Sequence, residues 1–149
     1  QLRIQLVHER ESRAEDTKRE RLEDLYILVG HWLNGLSGHY ISLSMVMQGK
    51  LDYNQHLDQF IKSADKQGYD YQRLEMILDV YAHPLKPMYE KVLEARAELN
   101  KISTKHKHAY EQGDMDGERF LKSYTAAQLK IESLGEALKK EIAEHAKNA

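Results

Sequence analysis

Histidine offers this chain most of its chemistry. Eight are present, and an imidazole can ligate a metal, carry a proton or sense pH. Spacing decides which of these is open. Carboxylate-bridged di-iron bundles need Glu-x-x-His steps on two helices, because residues i and i+3 project to one side. No such step occurs, and neither does the His-Glu-x-x-His step of helical zinc sites. Asp79 with His83 and Glu141 with His145 stand four apart, a spacing that serves a surface ion pair equally well. His106 and His108 fall on different helix faces. One sharper arrangement remains. If the last two helical stretches pair about Gly113, His83 and His145 lie at similar height, with His39 of the first stretch at that level and Asp79 beside them. Such a set could take a divalent metal or respond to pH. The alternative is that His39 and His106 fill helix seams, bonded to a tyrosine or a backbone group, while the others are exposed.

Other candidate motifs fail on their particulars. Aligning Gly117 with the glycine of a calcium loop puts Asp114 and Asp116 at ligand positions, but it also puts Gln112 first and Ser123 last, where an Asp and a bidentate Glu are required. A polar turn with a helix cap fits better. Lys101, Lys105, His106, Lys107 and His108 form the one local basic cluster, and it reads as a solvated helix face. There is no glycine-rich phosphate loop and no nucleophile motif around Ser or His. Cysteine is absent, which removes disulfides, thiolate catalysis and cysteine–zinc sites together. With 31% charged residues but a net charge of −2 over 149 residues, the chain has no basic field for nucleic acid. No stretch approaches the ~20 apolar residues of a membrane span.

The elements that must position these side chains are helices, separated at Gly49-Lys50, Gly68 and Gly113. The first runs from near the start to about Gln48. Its early part, His8 to Arg21, has no large apolar residue and alternates in sign, with i,i+4 pairs such as Glu9–Arg13 and Glu15–Arg19. From Leu22 onward, Leu22, Leu25, Val29, Trp32, Leu36, His39, Leu43 and Val46 alternate steps of three and four, a heptad seam. Tyr26, Leu33, Tyr40 and Met47 widen it into a bundle face. The second helix, roughly Tyr53 to Lys66, is capped by Asp52 with Gln55 three residues on. Its apolar face reads Tyr53, Leu57, Phe60, Ile61 and Ala64, and Gly68 ends it as an αL cap.

Asp70 caps the third and longest stretch, whose seam is Leu74, Leu78, Tyr81, Leu85, Met88, Val92, Ala95, Leu99, Ile102, His106 and Ala109. Pro84 and Pro87 lie inside it. Each removes a donor and costs ~3 kcal/mol or more in a regular helix, yet the heptad phase passes through unslipped, so a kink at His83 to Pro87 is expected rather than a break. The fourth helix follows the Gln112–Asp116 turn and runs to about Lys147 along Phe120, Tyr124, Ala127, Ile131, Leu134, Leu138 and Ile142. The expected fold is all-α: an antiparallel bundle of three long helices plus one short crossover helix, with a long N-terminal helix and a third helix kinked at Pro84–Pro87. Residues 1–21 form a charged stem continuous with the first bundle helix, and 22–149 the bundle domain. Helix one goes up, helix three comes down beside it and helix four returns.

Two segments, QLRIQLVHERESRAEDTKRERLEDLYILVGHWLNGLS and RLEMILDVYAHPLKPMYEKVLEARAELN, make the chain similar to small uncharacterised bacterial proteins with an N-terminal transmembrane anchor, a charged stem and a helical bundle. The resemblance covers roughly residues 1–100. Tyr81-Ala82-His83-Pro84 departs from the Tyr-Phe-Pro of that pattern. The family brings no activity and no functional residues to carry over. What the resemblance implies is an anchor just upstream of Gln1. Arg3, Arg10, Arg13, Lys18, Arg19 and Arg21 would then flank a span and favour the cytoplasmic side of an inner membrane.

The function expected from all this is a non-enzymatic, membrane-tethered interaction or scaffold module without cofactor. Its partner is a protein or a second copy, not nucleic acid. The alternative is a ligand- or metal-sensing bundle with its site near the proline kink, where freed carbonyls open space.

Overall fold

The computed structural model describes residues 1–67 and 70–149, and for 63–67 the backbone alone. The chain is all-α, with no strand among the described residues. Helix α1 spans Leu2–Met47, 46 residues. Residues 1–20 are all exposed, and Leu22 is the first buried side chain. At 1.5 Å of rise per residue the exposed part is a stem of roughly 27 Å, tied locally by pairs such as Arg13–Glu9 at 3.6 Å. Beyond it Leu22, Leu25, Val29, Trp32, Leu43 and Val46 of the heptad seam are buried. Gly49 ends α1 at φ +76°, while the Lys50 and Gly49 N–H groups donate to the carbonyls of Met45 and Val46 at 2.9 and 3.0 Å. This is the left-handed glycine cap that satisfies the last helical carbonyls. The same device, with Gly113 at φ +89°, ends α4.

Helix α2 spans Tyr53–Gln67. The expected capping box is present: the Gln55 N–H donates to Asp52 Oδ1 at 2.7 Å and the Asp52 N–H to Gln55 Oε1 at 3.1 Å. Its expected apolar face is not the buried one. Leu57, Phe60 and Ile61 are 40%, 48% and 59% exposed, whereas His56 is 2% exposed. The helix is turned so that His56 and Gln59 meet Ser42 of α1. The side chain of Ala64 and the expected cap at Gly68 lie outside the described residues. Nor is α2 a crossover at the end of the bundle. It descends along α1, with Tyr53 beside Tyr110 (5.3 Å between centroids) and Phe60 beside His39 (4.6 Å).

Helix α3, Tyr71–Tyr81, continues downward along α1 from the Asp70 cap, which accepts from the Arg73 N–H at 3.0 Å. The kink expected at Pro84–Pro87 is instead a full break. Ala82 leaves helical geometry (φ −139°, ψ +36°), His83–Leu85 form one 3₁₀ turn, and α4, Lys86–Glu111, starts afresh. Both prolines then sit in first turns, where no donor is missed. The chain also reverses here. Tyr89 Oη donates to Glu75 Oε1 at 3.3 Å, and Trp32 meets both Tyr71 and Tyr89 at 6.4 and 5.5 Å between centroids. In one continuous helix residues 75 and 89 would stand about 21 Å apart.

Helix α5, Glu118–Lys147, lies against both α1 and α4. Gly117 against Met47, Gly135 against Leu33, Lys139 over Tyr26 and Arg19 donating to the Ala149 carbonyl (2.9 Å) fix it antiparallel to α1. The order is therefore α1 up, α2 and α3 down as two pieces of one rod, α4 up and α5 down. The expected downward course of the stretch after Asp70 holds for α3 alone, because the break sends α4 back parallel to α1. Below Arg19 no described residue of another helix pairs with α1, hence the bare stem. No helix among the described residues is long and apolar enough to cross a membrane.

Candidate functional site

The rod made of α2 and α3 leans on α1 and stands off α4, and a cavity of about 340 Å³ opens between them. That volume falls in the range of small-molecule sites. One wall is the α1 segment from Asn34 to Ser42, which carries Gly35 and Gly38 within a helix interior. Glycine there costs ~1 kcal/mol against alanine, and at Gly38 no described neighbour requires it: a Cβ built there meets nothing within 4 Å. From α2 come His56, Gln59 and Phe60, from the start of α3 Tyr71, and from α4 Arg96 and Asn100.

A hydrogen-bonded chain runs along the α1–α2 wall. Ser42 Oγ lies 2.8 Å from His56 Nδ1 and donates to Gln59 Oε1 at 3.2 Å. With the hydroxyl proton used on Gln59, His56 donates from Nδ1 and keeps Nε2 as an acceptor. Burial pushes the His56 pKa down to about 4, and the neighbouring His39 and His106 push the same way. His39 is lowered by burial first and by the Arg96 guanidinium second; its Nδ1 is buried without a hydrogen-bond partner among the described residues. Tyr40 is raised to about 12 by burial, against the opposing pull of Arg96. Near neutral pH both imidazoles are therefore uncharged. Among the described residues Arg96 is the one formally charged side chain on the cavity wall, and it makes no hydrogen bond or ion pair with any of them. No Asp or Glu among the described residues lines the space.

Ser42 and His56 stand at the separation of a nucleophile and its base. The imidazole is a weak proton acceptor with a pKa near 4, and no carboxylate orients it among the described residues. The arrangement suits binding through convergent polar groups and aromatic faces better than acyl transfer.

The four side chains singled out for a metal are not brought together. His39 is at the cavity. His83 is exposed in the 3₁₀ turn, and Asp79 pairs with Lys86 at 2.7 Å. His145 is near the end of α5, which the contacts of Lys139 and Ala149 place roughly 25 Å below His39 along the bundle. The arrangement failed because α4 runs parallel to α1, setting His83 well below His39. Among the described residues no three His, Cys, Asp or Glu side chains form a group able to hold a metal. His106 does fill the seam, 1% exposed against Tyr53, Tyr110 and Phe120, but its Nδ1 has no partner among the described residues. The turn before α5 is the expected polar one: Asp116 Oδ1 accepts from the Glu118 N–H at 3.2 Å, and Asp114 pairs with Arg119 at 2.6 Å. The cavity is not at the proline break, and none of residues 83–88 lines it.

Arg96 and His56 escaped the sequence reading. A signal for the site existed in Asn34-Gly35-Leu36-Ser37-Gly38, where two glycines interrupt a helix seam with nothing large to fill it. Comparison with known protein families, with characterised proteins and with solved structures finds no match. The class that fold and site define is an up-down-up-down helical bundle with a cavity off its core, lined by both polar and aromatic side chains, and a solvent-exposed stem at one end.

Proposed function

We propose that the chain is a non-enzymatic ligand-binding bundle, which takes a small molecule into the cavity between α1, α2 and α4. The observation that carries this reading is the convergence of Arg96, Asn100, His39, Gln59 and Asn34 on the walls of one cavity. A binding role also accounts for the two glycines of α1, which lower helix propensity where a packed core would gain from alanine. Thermal denaturation of the purified chain with a panel of small metabolites tests it. At least one compound is expected to raise Tm by mass action. Gly38→Leu should abolish that rise while leaving the fold intact, since its side chain projects into open space. A panel with no stabilising compound, or an undiminished rise in the Gly38→Leu variant, counts against the cavity.

A second reading rests on the stem. A helical segment exposed along residues 2–20, with charges of both signs and no packing face, has the character of a spacer. On this reading the bundle is an interaction or scaffold module held off the cytoplasmic face of a bacterial membrane, by a segment preceding Gln1 as the family resemblance implies, and it recruits a protein partner or a second copy. Fractionation of the full-length protein tests this. Recovery in the membrane fraction, released by cleavage within the stem, supports the tether; recovery in the soluble fraction as a strict monomer opposes it.

A further inference from the structure

We propose that the ligand of this cavity is a small monoanionic carboxylate with a flat apolar body, and that Arg96 is the residue that selects it. The proposal rests on the cavity being a ligand site and adds the chemistry of what enters.

Charge supplies the first argument. A half-buried guanidinium without a carboxylate is costly to keep, and helices normally place a Glu or Asp within reach. Among the described residues Arg96 has no such partner, although Glu, Asp, Lys and Arg together make up 31% of the chain. Its planar fork matches a carboxylate in two parallel bonds, the geometry that gives arginine its preference for this group. An anion in the cavity removes the penalty; a neutral ligand leaves it in place.

The number of charges separates a carboxylate from a phosphate. His39 and His56 both have lowered pKa values and so stay neutral near pH 7. The described wall therefore offers one positive charge, with amides of Asn34, Gln59 and Asn100 around it. One guanidinium balances a monoanion. A phosphate dianion would keep an uncompensated charge in a partly desolvated space.

Shape supplies the rest. Phe60 packs its ring on His39 at 4.6 Å, and His39 on His56 at 4.9 Å. These rings and Tyr71 make flat faces beside Arg96. An aromatic or similarly flat body would lie against them while its carboxylate reached the guanidinium.

The test uses benzoate and phenylacetate as probes, benzamide and phenylacetamide as neutral counterparts of the same shape, and inorganic phosphate. Binding to the whole chain is measured by ligand-observed NMR and calorimetry at up to millimolar concentration. At least one carboxylate is expected to bind about tenfold or more tightly than its amide, as charge-assisted bonds imply. Arg96→Gln should lose that difference while keeping its circular dichroism and a melting temperature no lower than the parent's, since no bond to a described residue is removed. Amides binding as well as carboxylates, phosphate displacing the carboxylate at equal concentration, or Arg96→Gln binding like the parent would each overturn the assignment and leave the cavity as a ligand site. If neither acids nor amides bind, the assignment fails, and the ligand-binding reading fails with it only when no compound of the thermal panel stabilises the chain either.

Discussion

The imidazoles of His39 on α1 and His56 on α2 lie 4.9 Å apart between ring centroids, and both pKa values are depressed. Arg96 approaches from α4, and His106 adds its own repulsion from further along the same helix. Two neutral rings can share this interface; two imidazolium ions beside a guanidinium cannot.

That relationship sets the acid limit of the fold. A histidine of the unfolded chain takes up its proton near pH 6.5, whereas folded His56 resists until about pH 4. The unfolded state thus binds more protons between those values, and stability falls as pH drops through the window. Its contribution is present in full above pH 6.5. Chemical denaturation at pH 7.5, 6 and 4.5 should show a loss on the order of 2 kcal/mol beyond that of a His56→Asn variant. Equal acid sensitivity in the two proteins would contradict it.

Gly117 fixes the approach of α5 to the end of α1. A Cβ there would stand 2.6 Å from Met47 Cα and 2.9 Å from its carbonyl oxygen, both backbone atoms that cannot step aside. Gly117→Ala should therefore cost about 1–3 kcal/mol in equilibrium unfolding. Gly135→Ala is the control. Its Cβ meets only the tip of Leu33, at 2.7 Å, in a helix interior that favours alanine. A change within about 0.5 kcal/mol is expected.

Trp32, 1% exposed, holds α3 and α4 together through Tyr71 and Tyr89. Trp32→Ala should lose roughly 3–5 kcal/mol. It is the chain's one tryptophan, so the parent's fluorescence should be blue-shifted when folded and move red in the same transition that melts the helices. A red-shifted native spectrum would mean the reversal at Ala82 is misplaced.

Removing residues 1–18 should leave the bundle standing. Every side chain in that stretch is exposed, and the distal tie is made by Arg19 to the Ala149 carbonyl. Thermal melts monitored at the near-ultraviolet aromatic signal should agree within about 2 °C, as surface changes do. Cutting on to Leu25 removes two fully buried leucines and should unfold the lower end.

Much of this architecture was legible from residue spacing, because heptad seams and caps are local physics. Leu22 to Val46, the Asp52–Gln55 box, the Asp70 cap and the glycine ends of α1 and α4 all depend on neighbours within a turn or two. The reversal at Ala82 was not legible. Leu78 and Leu85 stay buried on either side of it, so the hydrophobic phase continues through a chain that turns back, and the prolines that looked like a flaw in one helix are first-turn residues of two others. The inward turn of His56 depends on Ser42, fourteen residues away, and no local pattern carries it. Arg96 reads as one more charge on a charged helix until the rods are assembled and no acid among the described residues stands opposite.

The central claim, that the space between α1, α2 and α4 is a binding site, is tested most directly by an amide-resolved NMR titration with phenylacetate. Shifts concentrated at residues 34–42, 56–60 and 96–100, and absent from the Arg96→Gln variant, are the expected result. Shifts confined to the stem, or scattered over the surface and unchanged by that substitution, would contradict it.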